Sequence, residues 1–315
     1  MPDGLGHMSK AGIKDCSSWG EAWAAVDELI PFNSESINQN IEMIENMGLE
    51  GSASKIAPDL GLIKIPGDWE LDFDYYYPGT LLEHAFGAVS TGVYTFTDAF
   101  AKIFRMEIDK AVSRWRFDGV MIDTLELSGR AGEIWKMRLG LVCRSITRSA
   151  TAFPSLSIAN RSRMRFSNSS SNSYFRLADL GDALAAGDKM EMSEITFRIN
   201  NNLTKDLAGN QQRTILQPRR GGFREVSLSI TAPIYTADTI PAWKDAGTTL
   251  QADIYNTDGT KTFKLELPEM LITSGFGAPV ESAGVLSLQG ELGCYRNLTN
   301  TNMAAISDEA RITIT

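Results

Sequence analysis

Along much of this chain apolar side chains return at every second position, the period of a sheet with one wet face, rather than at the third and fourth positions of a helix. The clearest case lies within residues 191–231. There Ile195, Phe197 and Ile199 alternate with Thr196, Arg198 and Asn200, and Val226, Leu228 and Ile230 alternate with Ser227, Ser229 and Thr231. Two strands on one core follow. The connection between them, residues 204–222, is far longer than the ~2–5 residues of an ordinary hairpin. It carries Gly209, Asn210, Gln211, Gln212, Pro218, Arg219, Arg220, Gly221 and Gly222. Loops of that length in compact domains are functional or disordered, and this one is expected to touch a neighbouring subunit.

Residues 1–15 carry no periodic pattern and read as mobile, while Trp19, Trp23, Val26, Leu29 and Ile30 have the spacing of a short amphipathic helix or arm. After Pro31, Ile37, Ile41 and Ile44 suit a helix whereas Ile41 and Met43 suit a strand, so periodicity alone leaves residues 36–46 open. Residues 48–61 form a polar, glycine-bearing loop with Lys55 and Pro58, and residues 62–77 predict a strand in which Leu71, Phe73 and Tyr75 alternate with Asp72 and Asp74. Pro78 opens a short helix closed by Gly87. Residues 93–96 and 104–108 read as a hairpin. Residues 115–128 and 134–144 read as two strands. The first of them changes phase between Ile122 and Leu125, which demands a bulge near Asp123 and Thr124.

From residue 145 the character changes. The run from Ser167 to Ser173 is low-complexity and polar, and it marks residues 151–189 as a flexible connector. Arg161, Arg163 and Arg165 precede it, read as one solvated strand face rather than a phosphate-binding patch. Beyond the organising pair of strands, residues 239–247 predict a second short helix, and residues 250–267 a hairpin turning at Asp258 and Gly259. Leu286, Leu288 and Leu292 predict a further strand, and residues 311–315 an edge. Laid side by side, the halves repeat one order: strand, long polar loop, strand, short helix, hairpin, final strand. That order decides residues 36–46 in favour of a strand. The expected organisation is an N-terminal arm (1–30), a first module (31–150), a linker (151–189) and a second module (190–315). Each module is mainly β, a sandwich or open barrel with one flanking helix.

Composition narrows the function. Of 315 residues 43% are hydrophobic and 22% charged, and no apolar run reaches the ~18–20 residues that span a bilayer. The N-terminus lacks the basic start and apolar core of a secretory signal. Cys16, Cys143 and Cys294 are scattered, which fits free thiols in a reducing compartment and no cysteine-based metal site. A net charge of −9 makes the chain a poor grip for a phosphate backbone. That does not exclude DNA as a neighbour, since a channel through which DNA slides should be repulsive or neutral, and a modest negative excess also serves solubility alone.

Catalytic chemistry finds little support. The histidines are His7, near the terminus, and His84, inside the first helix, where a packing role is expected. Arg219, Arg220, Gly221 and Gly222 lack the Lys-Ser/Thr and strand-to-helix setting of a phosphate loop. Asp68, Glu70, Asp72 and Asp74 are spaced like a carboxylate pair that could hydrolyse glycosides, but along a strand they form an acidic strip, best used as an electrostatic lining.

Four stretches resemble one known family: Ser34-Glu35-Ser36-Ile37, Leu49-Glu50-Gly51-Ser52, Phe117-Asp118-Gly119-Val120-Met121-Ile122 and, above all, Phe197-Arg198-Ile199-Asn200-Asn201-Asn202-Leu203. From Pro31 onward the chain resembles the major tail tube proteins of long-tailed, non-contractile (siphovirus-type) bacteriophages. The resemblance implies β-sandwiches stacked as rings into a hollow tube that conducts genomic DNA during ejection. In such tubes inner strands form a continuous barrel, long loops reach the adjacent ring and the lumen is electronegative.

Inter-ring contact candidates are then Lys55, Asp59, Lys205, Arg213, Arg219, Arg220 and Arg224, and lining candidates are Asp68, Glu70, Asp72 and Asp74. Two modules per chain imply trimeric, pseudo-hexameric rings, with a hexamer as the other arrangement. The implied partners are further copies, other tail proteins at the tube ends and double-stranded DNA in transit without specific binding. No cofactor, metal, catalytic residue or membrane anchor is implied. Synthesis would be in the host bacterial cytoplasm and residence in the virion tail. Two alternatives are a distal tail or tube-completion protein forming a single ring, and a carbohydrate-binding β-sandwich using Trp69, Tyr75, Tyr76 and Tyr77.

Overall fold

The computed structural model describes residues 6–45, 57–98, 102–158, 160–166, 173–206, 212–277 and 285–315. In the first half, β1 (Lys10–Cys16), β2 (Glu28–Ile30), β3 (Ser34–Glu35), β4 (Asn40–Ile44) and β5 (Asp59–Asp72) lead to helix α1 (Gly79–Phe86). There follow β6 (Gly87–Ser90), β7 (Val93–Phe96), β8 (Ile103–Asp109), β9 (Arg114–Arg130) and β10 (Lys136–Ser149). The second half comprises β11 (Ser173–Asp179), β12 (Lys189–Met190), β13 (Glu194–Asn200), β14 (Glu225–Ala232), α2 (Thr239–Ala246), β15 (Leu250–Thr257), β16 (Thr262–Gly275), β17 (Leu288–Cys294) and β18 (Arg311–Ile314). The fold is mainly β, and every pairing between these strands is antiparallel.

Both halves place their strands in one spatial order. In the first, β3 and β4 pair with β5, β5 with β10, β10 with β9, β9 with β8, β8 with β1 and β1 with β2. In the second, β13 pairs with β14, β14 with β17, β17 with β16, β16 with β15, β15 with β11 and β11 with β12. Each half has one eight-residue helix in the corresponding place. Each helix ends in a left-handed glycine, Gly87 at φ 103° and Gly247 at φ 65°, a conformation that costs a residue without Cβ little. The halves are welded directly. The C-terminal part of β9 takes β13 as its neighbour, from Arg130 opposite Glu194 to Thr124 opposite Asn200.

Alternation then determines what is buried. Phe197 and Ile199 on β13, Leu125 and Leu127 on β9 and Leu228 on β14 all point into one contiguous core that also holds Trp69, Trp135 and Phe263. Phe263 of the second half meets Phe73 of the first edge-on, with ring centroids 5.3 Å apart. Burial of each such ring contributes about 1.5–3 kcal/mol, so the core ties the halves together. On the opposite face at one end, Trp19, Ile103, Met121, Val142, Leu203 and Ile215 make a smaller cluster.

Several expectations change. The stretch read as a mobile arm and short helix contains β1 and β2, which pair with each other and with β8. Its tryptophans do not share one helix face. Trp19 instead enters the smaller cluster, and Trp23 lies beneath the guanidinium of Arg116, 4.7 Å from the ring centroid. The segment read as a linker includes β11, whose Phe175 and Leu177 are buried, and Met164 and Phe166 also enter the core. Composition had hidden that alternation; the polar run 167–172 itself lies outside the described residues.

Residues 93–96 and 104–108 do not form a hairpin together. Here β7 pairs with β6 and β18, and β8 with β1 and β9. The last strand, expected at an edge, sits between β16 and β7. The predicted bulge is present, with Asp123 left out between Ile122 opposite Leu141 and Thr124 opposite Gly140.

Candidate functional site

The polar phase of six consecutive strands builds one continuous face spanning both halves. Cross-strand registers align it in three rows. The first runs Asp72, Lys136, Ser128, Thr196, Ser229 and Glu291 over β5, β10, β9, β13, β14 and β17. The second runs Glu70, Arg138, Glu126, Arg198, Ser227 and Gly293, and the third Asp68, Gly140, Thr124, Asn200 and Glu225. None of these positions carries an apolar side chain, and six carboxylates stand against three cations. A sheet whose other face is fully packed needs no second polar layer for folding, so this face is available to line something.

Its charges are laddered. Arg138 Nη2 donates to Asp68 Oδ2 at 2.7 Å, Arg198 Nε to Glu126 Oε2 at 2.9 Å and Lys136 Nζ to Asp72 Oδ1 at 2.7 Å. Half-exposed pairs of this kind contribute only ~0–1 kcal/mol each. Their consequence is an ordered surface with residual negative charge. Asp72 also accepts from Asn33 Nδ2 at 2.8 Å. Partial burial opposes its charge, but the hydrogen bonds from Lys136 and Asn33, with Arg163 nearby, outweigh that and hold its carboxyl below the ordinary range. A groove of about 350 Å³ runs between Asp68, Arg138, Glu126, Arg198 and Glu225.

Of the four carboxylates read as a strip, Asp68, Glu70 and Asp72 share this face. Asp74 lies past the end of β5, is 2% exposed and accepts the backbone N–H groups of Tyr76 (3.0 Å) and Ser162 (3.2 Å). Sequence reasoning missed Glu126, Glu225 and Glu291 as members, although the signal was in the polar phase of strands it had identified. The proposed sugar platform does not form, because Trp69 and Tyr75 are buried and Tyr76 is exposed. His84 is buried in α1. Its Nδ1 lies 2.7 Å from the Thr80 carbonyl oxygen and its Nε2 3.2 Å from that of Ile103, so it packs the helix onto the sheet.

Residues 6–304 match the family model described as phage tail tube protein. The chain belongs to the phage tail tube family. Among curated proteins none matches it. Its mainly β, antiparallel fold is consistent with a β-sandwich-type tail tube fold, the family is one of structural proteins of the phage tail, and it is not known as enzymatic.

The long loops of this tail tube chain lie close to each other. The Ile63 N–H donates to the Arg213 carbonyl at 2.7 Å, and Arg213 Nε donates to the Gly61 carbonyl at 3.0 Å. Trp19 Nε1 donates to the Ile215 carbonyl at 3.1 Å, so residues 212–222 are seated on their own chain. Lys205 pairs with Asp123 at 2.5 Å. The Arg219 backbone is bonded to Thr204, Arg220 bridges to Leu203, and Arg224 pairs with Glu309 and stacks over Phe96 at 3.6 Å. Asp59 starts β5 in solvent, whereas Lys55 and most of residues 48–61 lie outside the described residues.

Proposed function

We propose that the protein polymerises as stacked rings into a hollow tail tube through which double-stranded genomic DNA leaves the capsid. The observation that carries this reading is the six-strand polar face, unbroken across the joint between the halves. Turned inward around an axis, such a face presents DNA with a wall that is wet, ordered and net negative. DNA phosphates are repelled by it rather than held. The repeat supports a trimeric ring, since three chains supply six equivalent halves and closure satisfies strand edges that would otherwise pair indiscriminately. Asp59, Lys205, Arg213 and Arg219, on or beside the long loops, are the candidate contacts to the next ring. Other tail proteins would cap the tube ends, and synthesis would occur in the host bacterial cytoplasm.

High-speed pelleting across a concentration series, followed by native mass measurement of the smallest dissociated species, tests this reading. Sedimenting polymer that dissociates to three chains is expected. A chain that stays soluble and monomeric throughout would refute polymerisation, and a six-chain unit would refute the trimer.

A further inference from the structure

Residues 161–166 cross the ends of β5 and β10, and alternation sorts their side chains. The Tyr75 N–H donates to the Ser162 carbonyl at 2.9 Å, the Met164 N–H to that of Phe73 at 2.8 Å, the Trp135 N–H to that of Met164 at 2.9 Å and the Phe166 N–H to that of Glu133 at 2.9 Å. Met164 and Phe166 are buried, and Arg161, Arg163 and Arg165 stand exposed on the opposite face. At ~3.3 Å per residue these arginines leave the backbone ~6.6 Å apart, the interval between alternate side chains of any extended peptide laid alongside. They line a basin of about 570 Å³ whose acidic wall residue, among the described residues, is Asp258. Its carboxylate is held by its own turn, accepting the N–H groups of Thr260 (2.9 Å) and Lys261 (2.7 Å) and the Ser162 hydroxyl.

The arginines are only loosely neutralised. Arg161 Nε lies 3.8 Å from Asp74 Oδ2, and Arg163 Nε 3.3 Å from Asp72, a carboxylate that Lys136 and Asn33 also claim. Among the described residues no carboxylate pairs with Arg165. In a chain of net charge −9 the basin is a local positive excess. Beside it lies an apolar cavity of about 220 Å³ walled by Trp135, Phe166, Phe175, Met190, Ile195 and Ile254. Ser173 and Asn256 line both, and they form a fixed partition: Ser173 Oγ donates to Asn256 Oδ1 at 2.5 Å, and Asn256 Nδ2 to the Arg165 carbonyl at 2.6 Å. An apolar cavity of about 150 Å³ already admits a benzene ring, so this one has room for a phenylalanine or leucine side chain. The indole N–H of Trp135 is buried with no acceptor among the described residues, and a buried donor of that kind calls for a partner.

We propose that cavity and basin together dock an acidic segment of a different protein. One large apolar side chain of that segment enters the cavity, and carboxylates at alternate positions meet Arg161, Arg163 and Arg165. Charge selects the partner. Phe223, 94% exposed, is this chain's own candidate anchor, but Arg219, Arg220 and Arg224 flank it with the sign that the basin repels. The competing occupant is β4 of a second copy, where Met43 and Ile44 are exposed beside Glu42. Glu42 is already paired with Lys64 at 2.7 Å, which leaves it poorly placed to serve an arginine basin. The inference goes beyond the tube reading and does not require it.

The test is fluorescence anisotropy of a labelled synthetic peptide, one phenylalanine followed by aspartates at alternate positions, titrated with the full chain. Saturable binding is expected. It should weaken about tenfold or more when alanine replaces the peptide's phenylalanine, and likewise with Met190→Trp, which fills the cavity, and with Arg163→Glu combined with Arg165→Glu, which turns attraction into repulsion. Arg163 and Arg165 are exposed, so the double charge variant keeps the test open if Met190→Trp fails to fold. No saturable binding up to about 1 mM, or binding that neither variant weakens, overturns the proposal. Pelleting of the same variants reads the competing occupant, and unchanged polymerisation is expected. Lost polymerisation in the variants, with no peptide bound by the wild-type chain, assigns the site to a second copy; that overturns the proposal and leaves the tube reading standing. A wild-type chain that never pellets refutes the tube reading, and the peptide titration still decides this one.

Discussion

Phe197→Ala probes the weld between the halves. Phe197 is fully buried on β13, opposite Leu127 on β9 and Leu228 on β14, at the place where the two halves share a core. Removing the ring forfeits about 1.5–3 kcal/mol of burial and leaves a cavity, for a total of about 3–5 kcal/mol. With a urea slope of about 3 kcal/mol/M, the midpoint falls by about 1–1.7 M. Tryptophan fluorescence reports mainly on the first half, since Trp19, Trp23, Trp69, Trp115 and Trp135 lie there and only Trp243 lies in the second. Far-ultraviolet circular dichroism reports on both. If the weld is as described, a substitution in the second half moves the two transitions together, measured at concentrations that keep the chain monomeric. A fluorescence midpoint that holds while the dichroism transition splits would refute the reasoning, as would a loss below about 1 kcal/mol.

Further outcomes follow from single sites. Asp72→Asn should cost about 1 kcal/mol at neutral pH. Because the folded-state pKa of Asp72 is lowered from its ordinary 3.8, its contribution is present above that ordinary value and is lost progressively as pH falls below it, through the lowered folded-state pKa. A pH-independent difference in urea midpoint would contradict that assignment. Gly129→Ala places a methyl group 2.6 Å from the Trp135 and Phe166 rings, and overpacking should cost about 1–3 kcal/mol in a denaturant titration; a neutral result would show that the rings give way. Ser128→Arg with Ser229→Arg should leave folding and polymerisation unchanged. It should convert the face into one that retains DNA in a salt-dependent electrophoretic assay, and continued indifference to DNA would remove that face from the lumen.

The strands that carry the polar face were legible because each alternates cleanly: Ile195 to Asn200 and Val226 to Thr231 declared both their core and their wet phase. The bulge at Asp123 was legible for the same reason, since a phase change between Ile122 and Leu125 has no other regular solution. What escaped depended on partners distant in sequence. β1 carries Lys10, Lys14 and Asp15 beside only two fully buried apolar residues, Ala11 and Ile13, and it becomes a strand because β8 and β2 flank it. Similarly, β7 turned from β8 to β18, a choice no local pattern encodes. Asp74 looked like the fourth member of a strip, but β5 ends before it and backbone donors from Tyr76 and Ser162 claim its carboxylate. The long loop, expected to reach a neighbouring subunit, also bonds its own chain, where Ile63 donates to Arg213 and Trp19 to Ile215, contacts between residues far apart in sequence.

Negative-stain electron microscopy of the purified protein over a concentration series tests ring stacking most directly. Hollow tubes of uniform width with regular axial striation, and end views of three chains with pseudo-six-fold outline, are the expected result. Closed single rings at every concentration would assign the chain to a tube end instead, and particles that never exceed one chain would contradict assembly into a tube altogether.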